Sequence, residues 1–275
     1  MTATDTTALD TTPQELAALA AELATAVGEQ VQRMREDGVA VAATKSSATD
    51  VVTAADREAE RLLVEAIVRA RPGDGILGEE GAGREGTSGI TWVIDPIDGT
   101  VNYLYGIPAY AVSVAATVVD PHAFADGRRA VAGAVYNPRT NELFDAWEGG
   151  GARLNGDPIR VSGVADLGLA LVGTGFGYTV ERRTEQAAVV ARLIPRVRDI
   201  RRIGSAAYDL CGLAAGRLDG FYERGLNPWD YAAAALIARE AGAALLGRDA
   251  DTPPGEPLLV AAAPGLAEQL RAALG

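Results

Sequence analysis

Two aspartates, Asp95 and Asp98, stand three positions apart in WVIDPIDGTVNYLYGIP (92–108), after an apolar run and before a glycine. A surface turn would use them for local reasons, since Pro96 fixes φ and Gly99 supplies conformations that other residues resist. The second reading is chemical. The strand-like WVI delivers Asp95 to a strand end, Pro96 bars a helix, and the turn gathers Asp95, Asp98 and the carbonyl of Ile97. Two carboxylates so close repel, and a hard divalent cation with a preference for oxygen ligands is the usual compensation. Gly99 lets an anion approach the backbone, and Thr100 starts a helix whose free N–H groups suit a phosphate.

Two other stretches carry carboxylates in comparable settings. GILGEEGAG places Glu79 and Glu80 at the end of a short apolar run, and NPWD places Asp230 where a strand-to-helix connection ends. Taken singly, the glutamates fit a solvated pair and Asp230 fits a helix cap. Together with the DPIDGT turn they fit a cation site.

Composition narrows the chemistry. The 37 acidic against 25 basic residues give a net charge of −12, which repels nucleic acid backbones and makes a nucleic acid partner unexpected. The single His122 sits in a turn-rich segment away from any nucleophile, which disfavours serine–histidine chemistry and sites built on several histidines. The lone Cys211 has no disulfide partner and reads as packing. Apolar residues reach 48%, but runs such as AVSVAATVV are too short to cross a bilayer, and the start has no signal-peptide pattern. No membrane association and a cytoplasmic location are the expectations.

The elements that must position these residues follow from periodicity. Residues 1–12 read as a disordered polar tail and 13–275 as one compact domain with halves of about 13–165 and 166–275. Thr12-Pro13-Gln14-Glu15 has the form of a capping box opening a helix that ends near Gly38. A second helix is expected from about Ala55 to Ala70, so that two helices precede the first strand, TWVID. Strand-like runs to about residue 165 suggest an antiparallel meander. Strands then alternate with helices, ending with PLLVAAAP and GLAEQLRAAL. The fold class is α+β, with an antiparallel N-terminal sheet and a mixed, helix-covered C-terminal sheet.

GEE, WVIDPIDGTVN and PWD, in this order and spacing, resemble the inositol monophosphatase family of magnesium-dependent, lithium-sensitive phosphomonoesterases. KSSATDVVTAADREAE (45–60) and IRRIGSAAYDLCGLAAGRLDGFYERGLNPWD (200–230) extend the likeness over most of the chain. The resemblance implies a layered αβαβα sandwich, a homodimer, a small-molecule phosphate monoester as substrate and two to three Mg²⁺ ions. It implies one ion on Glu79, Asp95 and the Ile97 carbonyl, a second on Asp95, Asp98 and Asp230, and a weaker third sharing Glu79. Thr100 with Glu79 would orient the attacking water, and the N–H groups of Gly99 and Thr100 would hold phosphate oxygens. Lys45 and Asp56 match positions just outside this cluster. Glu223 and Asp98 would meet substrate hydroxyls, with Gly204, Ser205 and Ala206 lining the pocket. Asn227 and GTGFGYTV (173–180) depart from some animal members, so histidinol phosphate and other sugar or nucleotide phosphates stand beside inositol monophosphate as substrates.

Overall fold

The computed structural model describes residues 11–38, 41–44 and 51–275; Lys45 and most of the expected tail lie outside them. Helix α1 (Pro13–Glu36) opens on the expected capping box. Thr12 Oγ1 accepts from the Glu15 N–H at 3.2 Å, and the Glu15 carboxylate accepts from the Thr12 N–H at 2.8 Å. Its stripe of Leu16, Ala20, Leu23, Val27 and Val31 is buried, as the three-four spacing requires. Two short strands follow, β1 (Val41–Thr44) and β2 (Val51–Thr53), paired antiparallel, and α2 (Ala54–Ala70) comes after them. Strands therefore appear earlier than expected. Runs of three or four residues are too short to show a period of two.

The first sheet contains β3 (Gly75–Gly78), β4 (Gly83–Arg84), β5 (Thr91–Asp98), β6 (Ala111–Val119), β7 (Arg128–Asn137), β8 (Glu142–Trp147), β9 (Ala152–Leu154) and β10 (Asp157–Ile159). Its order is β10-β9-β8-β7-β6-β5-β3-β4. From β5 to β10 it is the expected antiparallel meander, with α3 (Thr100–Tyr105) between β5 and β6. The β3–β5 pair is parallel, a departure from the all-antiparallel expectation, because the excursion through β4 returns the chain to the end from which β3 began.

The second sheet follows through β11 (Leu171–Thr174), α4 (Val180–Leu193), β12 (Asp199–Arg201), α5 (Ala206–Ala214), β13 (Gly220–Glu223), α6 (Pro228–Glu240), β14 (Ala244–Leu246), β15 (Leu259–Ala262) and α7 (Pro264–Leu274). Its order is β12-β11-β13-β15-β14, parallel across the first three strands and antiparallel across the last three, hence mixed as expected. The three-residue β14 gave no signal in the sequence.

Five layers result. Helices α1 and α2 cover one face of the first sheet, α5 and α6 lie between the sheets, and α4 and α7 close the outer side. Alternation along β5 divides its side chains: Trp92 and Ile94 pack with α1 and α2, while Val93 packs with α5 and α6. Small residues let α6 approach closely, since a Cβ on Gly133 of β7 would lie 3.0 Å from the Ala233 Cα. Cys211 is buried in this middle layer, as packing requires. No helix among the described residues is long and apolar enough to cross a membrane.

Candidate active site

A bulge in β5 builds the carboxylate cluster. Asp95 pairs with Ser113 and Asp98 with Ala111, so the steps from Asp95 to Asp98 and from Ser113 to Ala111 are three residues and two. In a regular strand, positions three apart face opposite sides of the sheet. The extra residue cancels that inversion and turns both side chains to one side. The strand thus continues to Asp98, where the sequence suggested an end at Asp95. Because Gly78 is in register with Ile94, the next residues, Glu79 and Asp95, emerge side by side from parallel strands. Asp230 arrives from the first turn of α6, its Oδ2 accepting the Asn227 N–H at 2.6 Å. Asn227 is the cap, and Asp230 completes the capping box from inside the helix.

One carboxylate oxygen from each of Asp95, Asp98 and Asp230 lies within 4.8 Å of the others. Burial pushes the Asp95 carboxyl well above its ordinary range, and the charges of Glu79, Asp98 and Asp230 push it further. Asp230 is raised in the same way, by burial and then by Glu79 and Asp98. Burial also raises Asp98, opposed by donors from Ser205 and the backbone of α5. Asp98 Oδ2 accepts from Ser205 Oγ and from the Ala207 N–H, each at 2.7 Å. Three carboxylates, Asp95 buried and Asp98 and Asp230 half-buried, that destabilise one another's charge form a donor set suited to a hard divalent cation.

Beside this cluster, the Thr100 hydroxyl faces two acceptors, Asp56 Oδ1 at 2.9 Å and the Ile97 carbonyl at 3.0 Å. Asp56 is fully buried, and burial raises its pKa to about 6 against the hydrogen bonds from Thr53 and Thr100. Its Oδ2 accepts the Thr53 N–H at 2.8 Å, so the capping box of α2 also holds Asp56 against Thr100. Gly99 adopts φ of +93°, and a Cβ there would lie 2.9 Å from the Ala109 carbonyl. No side chain caps the start of α3 behind it. Glu60 of α2 fixes the turn after Glu79, with its carboxylate accepting the N–H groups of Glu80 at 2.8 Å and Ala82 at 2.9 Å.

A cavity of about 470 Å³ opens above the cluster. The expected residues Glu79, Asp95, Ile97, Asp98, Gly99, Thr100 and Asp230 line it, as do Gly204, Ser205, Ala206 and Glu223. Burial followed by the charge of Asp98 raises Glu223 to about 8. Asp209 and Arg202 also line the cavity, and sequence reasoning passed over both. The one signal the sequence offers for Asp209 is that it is the single carboxylate in the otherwise apolar AAYDLCGLA helix.

A cation compensates such a cluster, and a phosphate ester suits the uncapped helix start beside it. Metal-dependent phosphomonoester hydrolysis is the class of chemistry that this fold and site define. The model of the inositol monophosphatase family matches residues 12–274, and the chain belongs to that family. It is similar to the inositol-1-monophosphatase SuhB of Mycobacterium tuberculosis, 49% identical over 86% of this chain and 82% of the relative. The Nus factor SuhB of Escherichia coli K12 is 41% identical over 82% of each chain. Among solved structures, the extragenic suppressor protein suhB of Bartonella henselae superposes with a TM-score of 0.86 at 33% identity, covering 94% of this chain and 98% of that one.

Proposed function

We propose that this protein hydrolyses inositol monophosphate-like esters to the free alcohol and phosphate as a Mg²⁺-dependent phosphomonoesterase. The observation that carries this reading is the convergence of Asp95, Asp98 and Asp230 at the floor of a cavity whose wall carries Thr100 and Glu223. When bound, two to three Mg²⁺ ions supply Lewis-acid polarisation and neutralise the charge of the phosphate and the departing alkoxide. Glu79, Asp95 and the Ile97 carbonyl hold one ion, and Asp95, Asp98 and Asp230 hold another. The N–H groups of Gly99 and Thr100 hold phosphate oxygens.

Thr100 and Glu79 orient the attacking water. The support is local: with its own proton directed to Asp56 or the Ile97 carbonyl, the Thr100 oxygen presents lone pairs that accept a water proton. Glu223, at the wall of the cavity, accepts a hydroxyl of the alcohol. A homodimer in the cytoplasm is part of the same reading, and sedimentation of the purified protein tests the dimer.

Histidinol phosphate on the same scaffold is the enzymatic alternative. The name Nus factor, carried by the Escherichia coli relative, motivates a second class of reading, in which contact with another macromolecule is the main role. Phosphate release from a panel of monophosphates, with and without Mg²⁺, separates these. Magnesium-dependent release from inositol monophosphate is the expected result, preference for histidinol phosphate favours the alternative, and turnover of no ester sinks the enzymatic reading.

A further inference from the structure

Asp209 lies on α5, one turn beyond Ser205 and on the same helix face. Its side chain is 1% exposed, its Oδ1 has no hydrogen-bond partner among the described residues, and the residue nonetheless lines the cavity. A buried carboxylate oxygen without a donor is costly, and native folds rarely keep one without a use. Burial, then the charges of Glu223 and Asp98, push Asp209 to about 8, so the fold strains against its charge.

Two glycines close in sequence lie against the two carboxylates. Gly173 lies within β11 and Gly175 follows directly after its last residue. A Cβ on Gly175 would fall 2.2 Å from both carboxylate oxygens of Glu223, and one on Gly173 would meet Leu218 at 2.8 Å and Phe221 at 3.2 Å, with Asp209 Oδ1 next at 3.5 Å. Glu223 therefore occupies the space that a side chain at 175 would take, and Asp209 Oδ1 lies beside Gly173, two residues earlier in the chain than Gly175. Neighbouring hydroxyls of one ring can donate to different carboxylates, each through an O–H···O bond of ~2.7 Å. A second phosphate or a carboxylate at this place would be repelled.

We propose that Asp209 is a specificity residue, which together with Glu223 accepts adjacent hydroxyl groups of a polyol phosphate. This rests on the phosphomonoesterase reading. Asp209 supplies acceptors that a hydroxyl-rich alcohol uses and a plain aryl group does not.

The test compares inositol monophosphate with an aryl phosphate at saturating Mg²⁺, in wild type and in Asp209→Asn. The carboxamide keeps the shape and an oxygen acceptor but puts two donors where the substrate also donates. The ratio of kcat/KM for the inositol ester over the aryl ester is expected to fall about tenfold, through KM rather than kcat. The thermal midpoint is expected to hold or rise, which removal of a structural carboxylate would not produce. A substrate lacking one ring hydroxyl keeps the question answerable in wild type alone. For one of the hydroxyl positions, wild type should lose a similar factor, and Asp209→Asn should be indifferent to that deletion. An unchanged ratio, an equal loss on both esters, or wild type indifferent to every hydroxyl deletion overturns the assignment. Failure of wild type to hydrolyse inositol monophosphate at all overturns the underlying functional reading instead.

Discussion

Asp98 and Ser205 are 107 residues apart in the chain and 2.7 Å apart in the fold, joined by a hydrogen bond from Ser205 Oγ to Asp98 Oδ2. The same oxygen takes the Ala207 N–H, so the start of α5 grips one side of a carboxylate whose other oxygen is left outside this contact. Ser205 also caps α5 by accepting the Tyr208 N–H at 3.3 Å. Ser205→Ala should therefore do two things. It should cost about 0.5–2 kcal/mol of stability through the lost cap. It should also raise the Mg²⁺ concentration needed for half-maximal activity severalfold, because Asp98 loses a donor that stabilises its charge and fixes its orientation. Parallel urea unfolding and Mg²⁺ titration read the two effects, and an unchanged Mg²⁺ requirement would detach Ser205 from the cation site.

Thr100 stands between Asp56 and the Ile97 carbonyl, which gives its hydroxyl two distinct uses. If it only stabilises the start of α3, Thr100→Ala costs stability and spares the kinetics of the folded fraction. As a water-orienting group it acts in the transition state, so kcat and kcat/KM should fall together by about a hundredfold, ~2.7 kcal/mol, with little change in KM. Asp56→Asn should reproduce part of that loss, because an amide holds the threonine proton less firmly. The comparison needs saturating Mg²⁺ and circular dichroism on each variant. A folded and fully active Thr100→Ala would refute the role.

Glu223 and Gly175 form a pair in which one residue's absence of a side chain makes room for the other. Glu223→Gln, assayed above about pH 8 where Glu223 is ionised, should weaken an inositol ester more than an aryl phosphate, since a hydrogen bond to a charged acceptor contributes about 1.5–3 kcal/mol. Gly175→Ala should shift selectivity in the same direction without touching the carboxylate chemically, because its Cβ would enter the volume held by the Glu223 carboxylate. Matched selectivity changes in the two variants are the expected outcome. Opposite changes would place Glu223 outside the alcohol subsite.

Stability of the metal-free protein should fall as pH rises. Asp209 and Glu223 are pushed from ordinary values of 3.8 and 4.5 to about 8, and Asp95 and Asp230 shift the same way. A carboxyl raised in the folded state binds its proton more tightly there than in the unfolded chain. Its stabilising contribution is full below about pH 4 and is lost as pH rises through about 8. Urea unfolding in EDTA at about pH 5 and pH 8.5 should show this loss, and Mg²⁺ should restore much of it at the higher pH. Asp209→Asn should flatten the pH dependence. A metal-free protein equally stable at both values would contradict the mutual repulsion on which the cation site rests.

Long elements and chemically unusual pairs were legible in the sequence. The stripe of α1 reported burial directly because it repeats over several turns, the capping box at Thr12 marked where that helix starts, and the long apolar runs of β6 and β7 marked strands buried on both faces. The DPIDGT turn and PWD pointed to one site through residue type. Less legible was how Asp95 and Asp98 come to face one way. That depends on a bulge against Ser113 and Ala111, a relation between strands that Pro96 hints at but does not determine. Glu60 and Asp209 were hidden for a different reason. Glu60 is one of four acids on α2 and Asp209 the one acid on α5, and only tertiary packing tells that Glu60 binds a turn while Asp209 Oδ1 has no donor among the described residues.

The boundary between the two sheets passes through the cavity. Glu79, Asp95, Asp98 and Thr100 come from the first sheet and its connections, whereas Gly204, Ser205, Asp209 and Glu223 come from the second. Bond breaking and recognition of the alcohol thus draw mainly on different parts of the chain, with Asp230 of α6 the carboxylate of the cluster that lies past β13. A chimera carrying a relative's segment from about 171 to 227 would exchange the surface that meets the alcohol and inherit the β5 carboxylates unaltered. Its substrate range would follow the donor of that segment, while its metal requirement would follow the recipient wherever the donor also places a hydroxyl at position 205 against Asp98, so that new specificities can arise on this scaffold without reinventing the hydrolysis.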